Sequence, residues 1–346
     1  MVYGTMEGTV TRAPNLDNTL TKLHRIAVLA KEVRDEPLRT LAHHIDVEFL
    51  REAYRRTRKD GAVGVDGRTA RDYELDLELN LQGLLNRAKP GTSRAPPVRR
   101  VDIPKGDGRQ TRPIGIPTIE DKILQRAVSM VLGAIFEGSF EDHSYGFRPG
   151  RSAHQALTAL GGKTMKMYGG WVVEVDIQGF FDNLEHHHLR AILSKRVGDG
   201  VIMRLVGKWL NAGVMQAQEV RYPDKGTPQG GVISPILANI YLDEVVDKWW
   251  RQDIEPRLYG RATMVRYADD MVMVFERRED AERMMVALPK RFARYGLELH
   301  PDKTRMLPFE PPDKRIPGRS GGPPEPPGSF GFLGFTLYWR KTRKGK

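Results

Sequence analysis

Arg266-Tyr267-Ala268-Asp269-Asp270-Met271-Val272-Met273-Val274-Phe275 sets two adjacent carboxylates between apolar runs, Met264-Val265 before them and Met271 to Phe275 after. Runs rich in β-branched and aromatic residues read as strands. The stretch predicts a hairpin with Ala268 to Asp270 at or near its turn. Two like charges in a buried turn repel and are costly to desolvate unless a cation neutralises them. Hard oxygen ligands suit Mg²⁺, which takes one or two carboxylates and leaves its other positions to water and phosphate oxygens. An isolated Asp-Asp pair is more often a solvated turn, so a second acidic element has to tip the balance.

That element is Trp171-Val172-Val173-Glu174-Val175-Asp176-Ile177-Gln178-Gly179-Phe180-Phe181-Asp182, an apolar strand ending in an acid, with a helix expected from about Leu184. An Asp at the carboxyl end of a core strand can complete a three-carboxylate set with Asp269 and Asp270. Two Mg²⁺ ions held in this way stabilise both the attacking and the leaving oxygen of an in-line phosphoryl displacement. Such chemistry belongs to polymerases and nucleases.

Three boxes occur in one order: Asp176-Ile177-Gln178-Gly179-Phe180-Phe181-Asp182, Gly226-Thr227-Pro228-Gln229-Gly230-Gly231-Val232-Ile233-Ser234-Pro235 and Tyr267-Ala268-Asp269-Asp270. In this the chain resembles the reverse transcriptases, most closely those of bacterial group II introns, from roughly residue 45 to the C-terminus. Several long motifs in order are far more specific than a lone tetrapeptide. The resemblance implies an α/β (α+β) right-hand polymerase: a palm whose antiparallel sheet carries the three acids with helices on one face, and a fingers subdomain. It also implies RNA-directed DNA synthesis, with RNA template, DNA primer and dNTPs as partners and two Mg²⁺ (Mn²⁺ as a substitute) as cofactors.

Site roles follow by the same resemblance. Asp176, Asp269, Asp270 and the Ile177 carbonyl would hold metal. Ile177, Gln178, Gly179, Phe180 and Phe181 would line the nucleotide, with Phe181 as the steric gate against a ribose 2′-OH. Phe180 would then point the other way on an extended segment and pack; the converse assignment applies if the strand ends early. Gln229 and Gly230 would lie under the nascent base pair, Tyr267 near the primer–template, and Leu333 and Gly334 beside the primer terminus. Lys303 would face the triphosphate, as a general acid or as an ordinary surface lysine. Ser234-Pro235 also reads as a plain helix start with Pro in its first turn.

The remaining chemistry is basic. Val98 to Ile103 alternates as a strand, residues 104–109 read as a turn, and Arg112 to Pro117 returns. Lys105 and Arg112 would share one hairpin, and a Lys with a forked Arg is what a triphosphate requires. They match the family's nucleotide clamp. In Ser144 to His154, aromatics interleave with Arg148 and Arg151, a pattern suited to stacking and backbone contact with single-stranded nucleic acid. His186-His187-His188 is not read as a metal site, because consecutive helical residues do not share a face.

The sequence has 346 residues and a formal charge of +11, with a pI near 9.7. That balance suits a polyanionic partner. The absence of cysteine excludes disulfides and thiolate zinc sites. No apolar run is long enough to span a membrane and no basic-then-apolar signal opens the chain, so a cytoplasmic protein is expected. The expected organisation is a flexible leader (1–40), an N-terminal extension (41–93), fingers (94–170), palm (171–307), a Pro/Gly-rich loop (308–328), and a primer-side hairpin with basic tail (329–346). Group II intron proteins usually continue into a thumb and maturase region and often an endonuclease; none is expected within these residues. Two other roles fit the motifs: a maturase-like cofactor binding a structured intron RNA, and a polymerase of a defence or CRISPR-associated system with a dedicated non-coding RNA.

Overall fold

The computed structural model describes residues 16–104, 111–216, 219–222, 226, 230–311 and 328–340. In chain order these form α1 (Leu16–Glu32), α2 (Val47–Arg56), α3 (Ala70–Glu74), α4 (Leu77–Ala88), β1 (Val98–Pro104), β2 (Thr111–Ile116), α5 (Ile119–Phe136) and α6 (Ala153–Met167). There follow β3 (Gly170–Val175), α7 (Phe180–Asn183), α8 (His186–Ser194), α9 (Gly200–Leu210), β4 (Val214–Gln216), β5 (Glu219–Arg221) and α10 (Ser234–Leu242). Two π-helical stretches, Asp243–Asp247 and Trp250–Ile254, extend α10. The chain closes with β6 (Ala262–Tyr267), β7 (Asp270–Phe275), α11 (Arg278–Ala293), β8 (Arg305–Phe309), β9 (Ser329–Phe332) and β10 (Phe335–Tyr338).

The central sheet has the order β6-β7-β3-β8 and is antiparallel throughout. Each residue from Met271 to Phe275 is at most 2% exposed, so both faces of β7 are covered. On one face Met271, Met273 and Phe275 join Val173 and Val175 in the large core with Met284, Leu288 and Phe292 of α11. On the other, Val272 and Val274 pack with Leu160 of α6 and with Phe330 and Phe332 of β9. Burying each such side chain contributes about 1.5–3 kcal/mol. The expectation of helices on one face is thereby corrected: α6 and the β9–β10 hairpin cover the second. The physical reason is visible in β7 itself, since a continuous rather than alternating apolar run marks a strand buried on both sides.

A second sheet has the order β2-β1-β4-β5. The β1–β2 hairpin forms as expected, with Ile103 opposite Arg112. Its neighbour β4 runs parallel to β1, pairing Val98 with Val214. The sheet in the stretch expected to be fingers therefore recruits a segment from the stretch expected to be palm, by a non-local pairing that a linear boundary cannot express.

The described part of the expected leader is not loose. Helix α1 packs on α5 and α2, burying Thr19, Ile26 and Ala30 to 5% exposure or less. Residues 1–15, most of the Pro/Gly-rich loop (312–327) and the basic tail (341–346) lie outside the described residues.

Candidate active site

Strand register brings the acids together. Val175 pairs with Met271, so Asp176 and Asp270, the next residues outward on antiparallel strands, share one end of the sheet. Tyr267 pairs with Asp270, leaving Ala268 and Asp269 as the turn of the expected hairpin. By strand alternation Asp176 and Asp270 face the side of Glu174 and Val272. There, with Lys303, Leu333 and Gly334, they line an open cleft of about 590 Å³. The Leu333–Gly334 turn is held over the sheet by Gly331 N–H, which donates to Glu174 Oε1 at 2.8 Å.

The backbone at Asp176 is pinned by the segment after α11. His300 N–H donates to the Asp176 carbonyl at 2.8 Å, and Gln178 N–H to that of Glu298 at 2.8 Å. Asp176 N–H reaches Thr304 Oγ1 at 3.2 Å. Ile177 is thereby bridged to Leu299, which holds the end of the strand in the cleft.

These acids are short of positive charge. Burial lifts the Asp270 carboxyl to about 6, helped by repulsion from Asp269 and Asp176 and opposed by Arg112 and Lys303. Burial also raises Asp269, with Asp176 adding to the effect and Arg112 countering it. Lys303 Nζ lies 3.4 Å from Asp176 Oδ2. Among the described residues no three such side chains close a cage around a single point. The donors are nonetheless hard anionic oxygens, with the Asp269 and Asp270 carboxyls raised first by burial and then by their acidic neighbours, and such a set fits a hard divalent cation that would relieve it.

Of the other expected site residues, Arg112 acts electrostatically on both turn carboxylates, whereas Lys105 and Gln229 lie outside the described residues. Gly179 is left-handed, with φ 54°, and opens α7, so Phe180 and Phe181 stand on a helical turn and not on the extended segment expected. Phe180 is 2% exposed and packs edge-on against Tyr241; Phe181 is only half-buried. The two rings do not part as expected: on this turn of helix they stand edge to face with centroids 5.1 Å apart. Gly230, expected under the nascent base pair, backs onto β2, where an added Cβ would meet Ile114 Cγ2 at 2.5 Å.

Arg148 requires the largest correction. It is 7% exposed, and its guanidinium donates to Glu137 Oε1 at 3.0 Å and to the carbonyls of Glu141 at 2.7 Å and Ser144 at 2.9 Å. A template strand would have to displace all of these. Arg151 pairs with Asp142 Oδ1 at 2.8 Å and stacks over Tyr145. Phe147 of the same loop is 58% exposed, its ring 6.3 Å from that of Tyr267. Of the three histidines, His186 bonds the Gly226 carbonyl, His187 is 70% exposed at its side chain with its ring 3.9 Å from that of His188, and His188 lies against Tyr295.

Sequence reasoning missed Arg266. It is 0% exposed, as is Asp247. Its Nε donates to Asp247 Oδ1 at 2.9 Å, Nη1 to Asn239 Oδ1 at 3.0 Å and to the Ala268 carbonyl at 2.9 Å, and Nη2 to Ser144 Oγ at 2.8 Å and to Asp247. Burial alone would raise Asp247, but Arg266 and His143 outweigh it and pull the carboxyl down to about 2. The available signal was a lone arginine inside a buried apolar strand, which demands an anionic partner.

Comparisons with known proteins agree with this geometry. The chain is 37% identical over 233 residues to group II intron-encoded protein LtrA of Lactococcus lactis subsp. cremoris, covering 66% of this chain and 38% of LtrA. It thus spans well under half of that relative's length. Protein YkfC of Escherichia coli (strain K12) is 32% identical over 346 aligned residues, covering 86% of this chain and 82% of YkfC. A structure of telomerase from Candida albicans, in complex with a fragment of telomeric RNA, superposes with a TM-score of 0.55 at 13% identity over 78% of this chain and 49% of that one, a likeness of fold. Residues 103–337 match the family described as reverse transcriptase (RNA-dependent DNA polymerase), and with YkfC aligned over most of both chains, this chain belongs to that family.

Proposed function

We propose that the chain is an RNA-directed DNA polymerase of group II intron type, extending a DNA primer on an RNA template with dNTPs. The observation that carries the reading is the β3–β7 register, which sets Asp176 beside Asp270 at the sheet end that also carries Asp269. In the reaction the primer 3′-oxygen bonds to the α-phosphorus, the bond to the bridging oxygen breaks, and pyrophosphate leaves. Asp176, Asp269, Asp270 and the Ile177 carbonyl would hold divalent cations, Mg²⁺ with Mn²⁺ as a substitute. When bound, these supply charge neutralisation at the triphosphate and acidify the 3′-hydroxyl.

The chain's own residues then orient and select. Arg112, whose charge already reaches Asp269 and Asp270, and Lys105 grip the triphosphate. Gln178 and Gly179 border the nucleotide, and Phe181 screens its sugar from the strand end. Leu333 and Gly334, which line the same cleft as Asp176 and Asp270, hold the primer terminus. Phe147 and Tyr267 offer the aromatic surface on which a template base stacks. The enzyme would work in the cytoplasm on a structured intron RNA; among the described residues no helix is long and apolar enough to cross a membrane.

The test is primer extension on RNA and DNA templates with Mg²⁺, comparing the parent chain with Asp269→Asn/Asp270→Asn. Extension by the parent and none by the double variant is expected. Extension that survives the double change rejects the assignment.

A further inference from the structure

We propose that Arg266 is a positioning residue: clamped against Asp247, it locks the Ala268–Asp269 turn and the Ser144–Phe147 loop into one unit and so sets where the carboxylates stand. For its kinetic consequence this rests on the polymerase reading; for its geometry it rests on the contacts alone.

The partners of the guanidinium are divided in an informative way. Asp247, on the π-helical extension of α10, neutralises the charge. A pair serving only to fill the core could end there. Instead Nη1 goes to the carbonyl of Ala268, inside the turn, and Nη2 to Ser144, at the start of the loop. Asn239 of α10 ties the same two pieces from behind, accepting from Arg266 Nη1 at 3.0 Å and donating to the Gly146 carbonyl at 2.7 Å. The backbones are also stitched together: Tyr145 N–H donates to the Arg266 carbonyl, and Arg266 N–H to that of His143, both at 2.8 Å.

Two further observations show that this junction has to be held. Ala268 and Phe147, one in the turn and one in the loop, are both non-glycine residues with φ 57°. L-residues with a side chain resist that left-handed conformation, so surrounding contacts must impose it. The loop also meets the turn backbone to backbone: a Cβ on Gly146 would lie 2.3 Å from Ala268 N. Displacing one piece therefore displaces the other.

The clamp requires a fork. Arginine presents five donors in a fixed plane, whereas the lysine ammonium is a single point. Arg266→Lys keeps the charge beside Asp247 but cannot also hold Ala268 and Ser144. In single-turnover primer extension the rate constant is expected to fall about 100-fold, the cost of a catalytic group misplaced by about an ångström. The fraction of active enzyme and the dNTP KM should change little. A merely stabilising role predicts the reverse, a smaller active fraction extending at the parent's rate constant, and that result overturns the proposal.

Should Arg266→Lys fail to fold, Asn239→Ala, which removes one acceptor and one donor, carries the same kinetic test. Amide hydrogen exchange reads the clamp without any catalysis. In Asn239→Ala, residues 144–147 and 267–271 are expected to exchange faster together, by several-fold. Exchange that is unchanged, or rises in only one of the two segments, overturns the clamp. A parent chain that extends no primer sinks the polymerase reading instead, and the exchange result still decides the clamp.

Discussion

Asp247, in the core, and Asp270, exposed at the start of β7, are two acids with opposite fates. Asp247 has an arginine bound to its carboxylate and a histidine beside it, and is held down at about 2. Asp270 has two acids for neighbours and only the more distant Arg112 and Lys303 in opposition, and rises to about 6. Arg266 donates to the carbonyl of Ala268, within the very turn that bears Asp269, yet its charge is bound to Asp247. Arg266 thus bonds the acid that shapes the site and, although it also draws Asp269 down, leaves that carboxyl raised. A deficit of this kind in a cleft is what a cation-dependent phosphoryl-transfer centre presents before its ions arrive.

Removing one acid from each group should have opposite effects on stability. Asp270→Asn is expected to lower primer extension by at least about 10³-fold, since it deletes a proposed metal oxygen. In chelator, however, it should raise the Tm by about 1–3 °C, because it removes a charge that burial and two acidic neighbours disfavour, and breaks no side-chain hydrogen bond among the described residues. A Tm that falls would mean the acids are not crowded, and the contrast with Asp247 would fail.

Asp247→Asn is expected to cost about 3–5 kcal/mol at neutral pH, because it leaves the buried Arg266 uncompensated. The sign of its pH dependence follows from the depressed carboxyl. The folded value is about 2 against about 3.9 unfolded, so the carboxylate's stabilisation is complete above about pH 4 and is lost as pH falls toward 2. Urea titrations of parent and variant should converge over that window. A gap independent of pH would show that packing, not charge, makes Asp247 important.

The elements that position the acids were legible because they follow local rules. Apolar runs of β-branched residues announced β3, β6 and β7, and the Asp-Asp pair between two of them announced the turn. Even two-sided burial is written in the unbroken apolar run of Met271 to Phe275. The clamp was not legible, because its members are distant: Arg266 lies 19 residues from Asp247, 27 from Asn239 and 122 from Ser144. Asp247 is carried inward by a π-helical turn that no sequence period signals. Arg148 misled for a related reason. Arginine among aromatics reads the same whether it faces a nucleic-acid strand or, as here, caps carbonyls beneath its own loop.

The smallest effect is expected at Lys303, where the two acid environments can be weighed against a surface charge. Its side chain is 61% exposed and its contact with Asp176 is 3.4 Å, an exposed pair of the kind worth at most about 1 kcal/mol. Lys303→Ala should therefore leave the Tm within about 2 °C of the parent. Extension is a separate matter, because Lys303 opposes the rise of the Asp270 carboxyl and lines the cleft with Asp176 and Asp270. A lysine steering the triphosphate should show a raised dNTP KM when removed, by about 10-fold, with the maximal rate nearly kept. A lysine donating a proton to the leaving pyrophosphate should show the opposite, a lower maximal rate with KM kept. A variant that changes neither would make it the ordinary surface lysine that its exposure alone suggests, and would leave Arg112 and Arg266 as described cations that draw down the Asp269 carboxyl.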